Sequence, residues 1–170
     1  MTTQLPTTQG KIAVVTGGST GIGEASARAL AADGWHVIVA SRSIDKLTAI
    51  AEEIGGTALP LDVTDSDSVA EFAAAIDRCD LLVNNAGGAK GLDSVADADL
   101  DDWQWMYDTN VLGTLRVTKA LLQKLIDAEG QIINIGSIAA RVPYVGGAGY
   151  NAAKHGVAAM TRVLRLELQG

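Results

Sequence analysis

Apolar and polar positions follow two different periods along the chain. Short apolar runs, rich in valine and isoleucine, predict buried strands at 11–17, 36–42, 56–63, 80–87 and 131–137. Between these runs the apolar residues recur three and four positions apart, which is the spacing of an amphipathic helix. This spacing predicts helices at 21–34, 44–55, 65–77, 100–130 and 149–169.

Strands and helices alternate from the first apolar run to the last helix. Near-continuous apolar strands are typical of parallel sheets that carry helices on both faces. Right-handed crossovers then give an α/β fold with three layers and a doubly wound parallel sheet. Because the 170 residues show no repeat or linker, we expect a single domain over 1–170, with a polar N-terminal tail at 1–10. The longest irregular stretch, 88–99, is a candidate cover for a ligand.

The composition excludes several classes of protein. Hydrophobic residues make up 48% of the chain and charged residues 19%, which is typical of a globular protein and not of a disordered one. The net charge of -7 argues against sequence-independent binding of nucleic acid, which needs a basic surface. An anionic small ligand stays compatible with this charge, because the N-terminus of a helix attracts anions locally.

Few residues could form a disulfide or hold a metal ion. The single cysteine, Cys79, excludes an intrachain disulfide, and its position before a strand predicts a buried, unreactive thiol rather than a nucleophile. His36 and His155 lie far apart with no cysteine or acidic cluster at ligand spacing, so no metal site is predicted. A polar N-terminus and the lack of a membrane-length apolar run predict a cytoplasmic protein with no membrane partner.

A glycine-rich stretch, TGGSTGIG at 16–23, lies between the first predicted strand and the first predicted helix. In this position Gly17 can adopt a backbone conformation closed to other residues, while Gly21 and Gly23 allow a pyrophosphate to approach the backbone closely. The stretch therefore predicts the dinucleotide-binding loop of a Rossmann domain, and a simple tight turn is the alternative. No Lys-Ser or Lys-Thr pair follows, which disfavours hydrolysis of nucleoside triphosphates.

The end of the second predicted strand reads VASRS. Proteins that bind NAD place an acidic residue here for the ribose 2′-hydroxyl, whereas this chain has Ser41 followed by Arg42. A 2′-phosphate needs a cation and hydroxyl donors, so the pair favours NADP(H) over NAD(H). The alternative is that Arg42 simply faces solvent.

A tyrosine and a lysine, Tyr150 and Lys154, lie four residues apart in the last predicted helix and therefore share one face. Such a spacing also arises by chance, and a packed tyrosine beside a solvated lysine is the alternative. A free tyrosine titrates near 10, so a phenol that acts as a base near neutral pH needs nearby positive charge and little water. The ammonium alone is insufficient, because an exposed pair at this spacing contributes only about 0.3–0.5 kcal/mol.

Four motifs now occur in order: Thr16-Gly17-x-x-x-Gly21-x-Gly23, Asn84-Asn85-Ala86-Gly87, Ser137, and Tyr150-x-x-x-Lys154. Together they resemble the single-domain branch of the short-chain dehydrogenase/reductase family, over residues 11–168. The stretch SIAARVPYVGGAGYNAAK is further similar to the NADP-dependent 3-hydroxy acid, or serine-type, dehydrogenases.

The resemblance implies how the cofactor is held. Asp62 and Val63 would contact the adenine, and Asn84 to Gly87 would stabilise the sheet and flank the adenosine. Asp62 could instead only cap a turn. With the glycine loop and the end of the second strand, the predicted cofactor-binding set is Gly17, Ser19, Thr20, Gly21, Ile22, Gly23, Ser41, Arg42, Asp62, Val63, Asn85, Ala86, Gly87, Tyr150 and Lys154.

The resemblance also implies a catalytic set of Asn110, Ser137, Tyr150 and Lys154. Tyr150 would be the general acid or base, and Lys154 would bind the nicotinamide ribose and tune the phenol. Ser137 would hydrogen-bond the substrate oxygen, and Asn110 would position a water in a proton relay. Asn110 could instead only bend its helix, and Ser137 could only cap a turn.

Three aromatic residues near the start of the helix predicted at 100–130 are expected to pack rather than to touch substrate; they are Trp103, Trp105 and Tyr107.

The chain is shorter than the family pattern, which continues with two more strands, a loop for the nicotinamide amide and a lid. The strand at 131–136 would then lie at an apolar sheet edge. One hypothesis is an NADP-dependent oxidoreductase that interconverts a secondary alcohol and a carbonyl on a small molecule such as a 3-hydroxy acid. The other is a truncated nucleotide-binding fragment or subunit without turnover, and a purely structural assembly module explains least.

The resemblance further implies a homodimer or homotetramer, paired through the two long helices at 100–128 and 149–168.

Overall fold

The computed structural model describes residues 10–168, so that most of the predicted tail at 1–10 lies outside the described residues. Within that part, five parallel strands form one sheet in the order β3-β2-β1-β4-β5. The strands are β1 (Ile12–Thr16), β2 (His36–Ser41), β3 (Thr57–Pro60), β4 (Leu81–Asn84) and β5 (Gln131–Asn134). The predicted strands are each longer than these, because the carboxyl ends of the apolar runs turn into loops.

The helices of the described residues alternate with the strands as predicted. They are α1 (Gly21–Ala32), α2 (Ile44–Ile54), α3 (Ser66–Ala74), α4 (Leu100–Tyr107), α5 (Gly113–Asp127) and α6 (Ala148–Glu167). A short 3₁₀ turn, Ile138–Ala140, follows β5 and was not predicted from the sequence.

Successive residues of each strand point to opposite faces of the sheet, and this divides the core in two. Val14 of β1 packs in a cluster with Phe72 of α3 and Leu121 of α5. Val15, the next residue, packs in a second cluster with Leu47 of α2. The chain therefore has the predicted three layers, with the sheet between two sets of helices.

The helix predicted over 100–130 is one continuous path with an irregular centre. A π-helical turn, Asp108–Leu112, joins α4 to α5. Inside it the side-chain Nδ2 of Asn110 donates to the carbonyl oxygen of Met106, at 2.7 Å. The turn was not predicted, because the apolar spacing is the same on both sides of it. π-Helical turns inside α-helices are often found at functional sites.

The direction of strand order reverses between β1 and β4. β2 and β3 lie on one side of β1, and β4 and β5 lie on the other. In open parallel sheets the ligand binds in the crevice outside the carboxyl ends of the strands at such a reversal. At the far side, β5 pairs with β4 alone among the described residues.

Candidate functional site

A cavity of about 380 Å³ opens at the carboxyl ends of the strands, beside the reversal in strand order. This volume lies in the range of small-molecule sites in proteins. Most of the predicted cofactor-binding residues line it. The lining residues are Gly17, Ser19, Thr20, Ile22, Ala40, Ser41, Arg42, Ser43, Leu61, Asp62, Val63, Thr64, Asn85, Ala86, Gly87, Trp105 and Thr109.

The glycine loop is shaped by close contacts with the end of β4. Gly17 has φ +63°, and a Cβ there would lie 2.8 Å from Nδ2 of Asn85. That Nδ2 donates to the carbonyl oxygens of Thr16 and Gly17, both at 3.0 Å. A Cβ on Gly23 would clash with the carbonyl oxygen of Gly17. Gly23 therefore packs the loop and, like Gly21, does not line the cavity.

The hydroxyl of Thr16, at the end of β1, fixes the same two segments. Its Oγ1 accepts hydrogen bonds from the backbone N–H groups of Asn85 and Ala86, each at 3.0 Å. One side of the cavity is thus held by bonds between the glycine loop and the residues that follow β4.

The first turn of α1 faces the cavity without a side-chain cap. Its N-cap residue, Thr20, makes no capping hydrogen bond, whereas Asp65 and Asp99 cap α3 and α4 through their carboxylates. The first N–H groups of a helix have no partner within the helix, and they carry a positive partial charge. The N–H groups at the start of α1 could therefore donate to an anionic group, as the sequence predicts for a pyrophosphate.

Ser41 and Arg42 lie at the end of β2, where the sequence placed the 2′-phosphate site. Both residues line the cavity, and Arg42 is exposed. The hydroxyl of Ser41 accepts a hydrogen bond of 3.2 Å from the backbone N–H of Ser43.

Asp62 caps a turn and also lines the cavity, and its contact with an adenine stays a prediction. Its Oδ1 accepts from the backbone N–H of Thr64 at 2.9 Å and from the hydroxyl of Thr64 at 2.7 Å. Partial burial acts to raise the pKa of Asp62, but the hydrogen bonds from Thr64 and the charge of Arg42 outweigh it. The net pKa lies below the usual value, and the carboxylate is an anionic acceptor at neutral pH.

Asn84 joins the middle of the sheet to the helices. Its Nδ2 donates to Oγ1 of Thr118 in α5 and to Oδ1 of Asn134 in β5, both at 2.9 Å. Nδ2 of Asn134 in turn donates to Oγ1 of Thr161 in α6, at 2.8 Å. These four side chains, named here the amide bridge, connect α5, β4, β5 and α6.

Lys154 is buried and is not the solvated lysine of the alternative hypothesis. Its Nζ donates to the carbonyl oxygen of Ile135 at 3.1 Å and lies 5.7 Å from the centroid of the Tyr150 ring. Burial lowers the pKa of Lys154. The half-buried Tyr150 packs against a cluster that includes Met106 and Ala153. The ammonium is therefore buried beside a half-buried phenol, and its charge acts more strongly there than it would in water.

Ser137 begins the 3₁₀ turn and caps it. Its Oγ accepts a hydrogen bond of 3.1 Å from the backbone N–H of Ala139, so the hydroxyl proton stays free to be donated. The same turn is tied to α6, because Nδ2 of Asn151 donates to the carbonyl oxygen of Ala139 at 2.6 Å. Since Asn151 follows Tyr150, these bonds couple the positions of Ser137 and Tyr150.

Asn110 is buried, and its side chain holds the loop that follows β4. Its Oδ1 accepts from the backbone N–H of Gly88 at 3.2 Å, and its Nδ2 donates to the carbonyl oxygen of Gly88 at 2.8 Å. The carbonyl oxygen of Asn110 accepts a bond of 2.7 Å from the hydroxyl of Thr114. Asn110 thus does more than bend its helix, and its role in positioning a water stays a prediction.

Gly87 joins the cavity to the catalytic set. A Cβ on Gly87 would lie 2.5 Å from Oδ1 of Asn110 and 3.8 Å from Nζ of Lys154. The four predicted catalytic residues do not line the cavity themselves. Gly87 therefore lies between the cavity and the predicted catalytic residues Asn110 and Lys154.

The sequence did not predict a site role for several lining residues, among them Trp105 and Thr109. These two lie four residues apart at the junction of α4 with the π-helical turn, and so they share one side of the helix. For Thr109 the available signal was its place next to Asn110, a predicted site residue. For Trp105 no signal pointed to the cavity, because aromatic residues near the start of a helix are usually part of the core. The Oγ1 atom of Thr109 is buried and has no hydrogen-bond partner in the described part of the chain.

Cys79 has the environment predicted for it. The thiol is buried, and burial raises its pKa to about 12. Across residues 10–168, no group of three or more His, Cys, Asp or Glu side chains is placed to hold a metal ion. None of the helices in that range is both long and apolar enough to cross a bilayer.

Comparison with known proteins gives consistent matches. The model of the short chain dehydrogenase family matches residues 11–170. An uncharacterised oxidoreductase of Mycobacterium tuberculosis is 61% identical over 164 residues, which are 96% of this chain and 65% of that protein. The NADP-dependent 3-hydroxy acid dehydrogenase of Salmonella typhi is 39% identical over 166 residues, 94% of this chain and 67% of that protein.

One solved structure, the closed form of serine dehydrogenase complexed with NADP+, has a TM-score of 0.90 at 36% identity. The match covers 94% of this chain and 67% of that chain. The chain therefore spans about two thirds of the length of the proteins it matches.

Proposed function

We propose, since the chain belongs to the short-chain dehydrogenase family, that it binds NADP(H) and interconverts a secondary alcohol and a carbonyl on a small substrate. The predicted family resemblance is confirmed, and so is the predicted fold. The observation that carries the proposal is one cavity in which the uncapped start of α1, Arg42 and Asp62 face the same space.

The residues of the cavity fit a dinucleotide. Gly17 and Gly23 leave no room for side chains where the loop approaches the end of β4, and the start of α1 supplies N–H donors for the pyrophosphate. Asp62 supplies an anionic acceptor of the kind that binds the amino group of an adenine.

The choice of NADP(H) over NAD(H) rests on Ser41 and Arg42. A ribose with two free hydroxyls is usually held by a carboxylate at this strand end, and the chain has a hydroxyl and a guanidinium there instead. Charge-assisted bonds from arginine to phosphate are among the stronger polar interactions in proteins. One matched protein is named as NADP-dependent and one matched structure is a complex with NADP+, which is consistent with this choice.

The chemistry at the other end falls to Tyr150, Lys154 and Ser137. The bound cofactor supplies the two-electron hydride exchange with the substrate carbon. Ser137 donates its free hydroxyl proton to the substrate oxygen, while Tyr150 removes the alcohol proton in oxidation and returns it in reduction. Lys154 keeps a positive charge beside the phenol in a buried environment, which favours the phenolate.

The substrate class is proposed as a small hydroxy acid or its carbonyl counterpart. The support is the similarity of residues 137–154 to the serine-type enzymes and the names of the two matched dehydrogenases. A homodimer or homotetramer, with a cytoplasmic location, completes the proposal. Apolar side chains on the long helices stay exposed and are available for such pairing, among them Leu115, Ile126, Val163 and Leu166.

The test is to titrate the purified protein with NADP+ and NADPH by calorimetry, and then to follow oxidation of NADPH with a panel of small carbonyl acids. We expect Tyr150→Phe to bind NADPH as tightly as the unchanged protein and to lose turnover at least about a hundredfold. Tyr107→Phe is the matched control, because Tyr107 is an exposed residue of α4 outside the cavity.

Three outcomes separate the hypotheses. Binding with turnover that depends on Tyr150 supports the enzyme. Binding without turnover on any carbonyl supports the alternative of a nucleotide-binding fragment or subunit. Failure of both nucleotides to bind would overturn the proposed function.

A further inference from the structure

We propose that the indole ring of Trp105 is an aromatic wall for the adenosine half of the nucleotide, an inference that rests on the proposed function. Trp105 lines the cavity together with Thr109, and both residues come from the junction of α4 with the π-helical turn. The sequence motifs assigned no nucleotide contact to either residue.

The other lining residues identify which half of the nucleotide this cavity would take. Ser41 and Arg42 are placed for a 2′-phosphate, Asp62 for an adenine, and the start of α1 for the pyrophosphate. All of these groups belong to the adenosine side of NADP. Since Tyr150 and the other catalytic side chains lie outside the cavity, a ring that lines it faces adenosine rather than nicotinamide.

The ring is held in place before any ligand arrives. A Cβ on Gly88 would lie 3.1 Å from Cη2 of Trp105, so the ring rests directly on the backbone of Gly88. Nζ of Lys90 lies 4.8 Å from the ring centroid, within the range of a cation–π contact, and pairs with Asp102 at 3.4 Å. A side chain already fixed by its neighbours loses little conformational entropy on binding.

Core packing alone does not account for this position. Trp105 and Trp103 both pack against the cluster of Met106, Val111, Ala153 and Val157. Trp103 lies against Gly149, and only Trp105 of the two also lines the cavity at the carboxyl ends of the strands. Packing therefore explains the contact that both rings make with this cluster. It does not explain why Trp105 also lines the cavity.

The chain contains its own matched control. Trp35 also lies beneath a lysine, with Nζ of Lys11 at 5.5 Å from the ring centroid, but it does not line the cavity. The same kind of lysine–tryptophan contact thus occurs once at the cavity and once away from it. Substitutions at Trp35 measure the general effect of losing such a ring.

The experiment measures binding and fluorescence, and it needs no turnover. The probes are adenosine 2′,5′-bisphosphate, which is the phosphorylated adenosine part of NADP, and NADP+ itself. We expect Trp105→Ala to weaken binding of both probes about tenfold, in line with the contribution of one aromatic ring stacked on a base. We expect Trp105→Phe to keep most of the affinity, and Trp35→Ala to leave the affinity unchanged.

Quenching of intrinsic fluorescence gives a second readout. Since the chain has three tryptophans, we expect the bisphosphate to quench the emission of the unchanged protein and of Trp35→Phe, and to quench Trp105→Phe much less. Far-ultraviolet circular dichroism establishes that each variant is folded. Trp105→Phe keeps a ring in the cluster, so it serves where Trp105→Ala does not fold.

The possible results distinguish a failure of this inference from a failure of the proposed function. Equal affinity of Trp105→Ala and the unchanged protein, or undiminished quenching in Trp105→Phe, overturns the inference and leaves the proposed function standing. Failure of the unchanged protein to bind either probe overturns the proposed function.

Discussion

Nζ of Lys154 donates a hydrogen bond of 3.1 Å to the carbonyl oxygen of Ile135, just beyond the end of β5. This bond places the buried cation of α6 between Tyr150 and the carboxyl ends of the strands. The position of the ammonium is therefore set by the backbone of the sheet.

Lys154→Met is expected to separate activity from stability. Methionine keeps an unbranched side chain of nearly the same length but removes the charge, so we expect turnover to fall at least about a hundredfold. The free energy of unfolding should change by less than about 1 kcal/mol, because loss of the bond to Ile135 is offset by relief from burying a charge. Lys119→Met on the exposed side of α5 is the control, measured by steady-state kinetics and urea unfolding. A variant that keeps full turnover would contradict the role given to the ammonium.

Arg42→Leu is expected to change the preference between the two cofactors. A hydrogen bond to a charged group contributes about 1.5–3 kcal/mol, so the dissociation constant for NADPH should rise about ten- to a hundredfold. The constant for NADH should change less than about threefold, because NADH lacks the phosphate. Calorimetric titration of both nucleotides measures this, with the exposed Arg141→Leu as the control. Equal losses for both nucleotides would remove the argument for a 2′-phosphate site.

Gly87→Ala is expected to damage the junction between the cavity and the catalytic set. The added Cβ would lie 2.5 Å from Oδ1 of Asn110, so the loop or the π-helical turn must shift. Overpacking of this kind costs about 1–3 kcal/mol of stability, and nucleotide affinity should fall along with it. Gly136→Ala is the control, since a Cβ there meets nothing within 4 Å. Thermal unfolding and nucleotide titration of both variants decide the matter, and similar behaviour of the two would refute the prediction.

Asp80 is expected to make stability depend on pH in the acid range. Hydrogen bonds from Arg78 lower the pKa of Asp80 more than burial raises it, and the backbone N–H of Ile12 lowers it further. A carboxyl whose pKa falls on folding stabilises the fold above its unfolded pKa, near 3.9, and this contribution is lost as the pH drops through the folded value.

Asp80→Ala should therefore lower the free energy of unfolding by about 1–3 kcal/mol at neutral pH, because the N–H of Ile12 loses its acceptor. The difference from the unchanged protein should narrow as the pH falls below the unfolded pKa and through the lower pKa of the folded carboxyl, where the native carboxylate is itself protonated. Denaturant unfolding at several pH values tests this, with the exposed Asp77→Ala as the control. A gap that stays constant down to acid pH would count against the ionic part of the explanation.

The sheet and its helices could be predicted because local and global signals agree. β1 is a run of five buried residues ended by a glycine loop, and its neighbours β2 and β4 each contain four buried residues in a row. The strand ends were overestimated, because residues such as Asn85 and Asp62 bond to loops and not to the ladder. An apolar run in the sequence therefore does not show at which residue the hydrogen bonds between strands end.

The sequence predicted the glycine loop at the cavity and the shared helix face of Tyr150 and Lys154, because each pattern has one common use; the roles of these residues stay predictions. Trp105 was missed because a tryptophan in a helix usually packs, and only the three-dimensional cavity distinguishes it from Trp103. The π-helical turn was missed because it depends on the bonds from Asn110 to the distant Gly88. Long-range contacts of this kind leave no periodic signal in the sequence.

The amide bridge has a consequence for how β5 is aligned. Asn84 and Asn134 are direct partners in the ladder, and a slip of β5 by one residue would turn Asn134 toward the opposite face of the sheet. The alignment of β5 is thus fixed by hydrogen bonds between polar side chains in addition to apolar packing. Ser137 follows β5 along the chain, so its position above the sheet depends on this alignment of the strand.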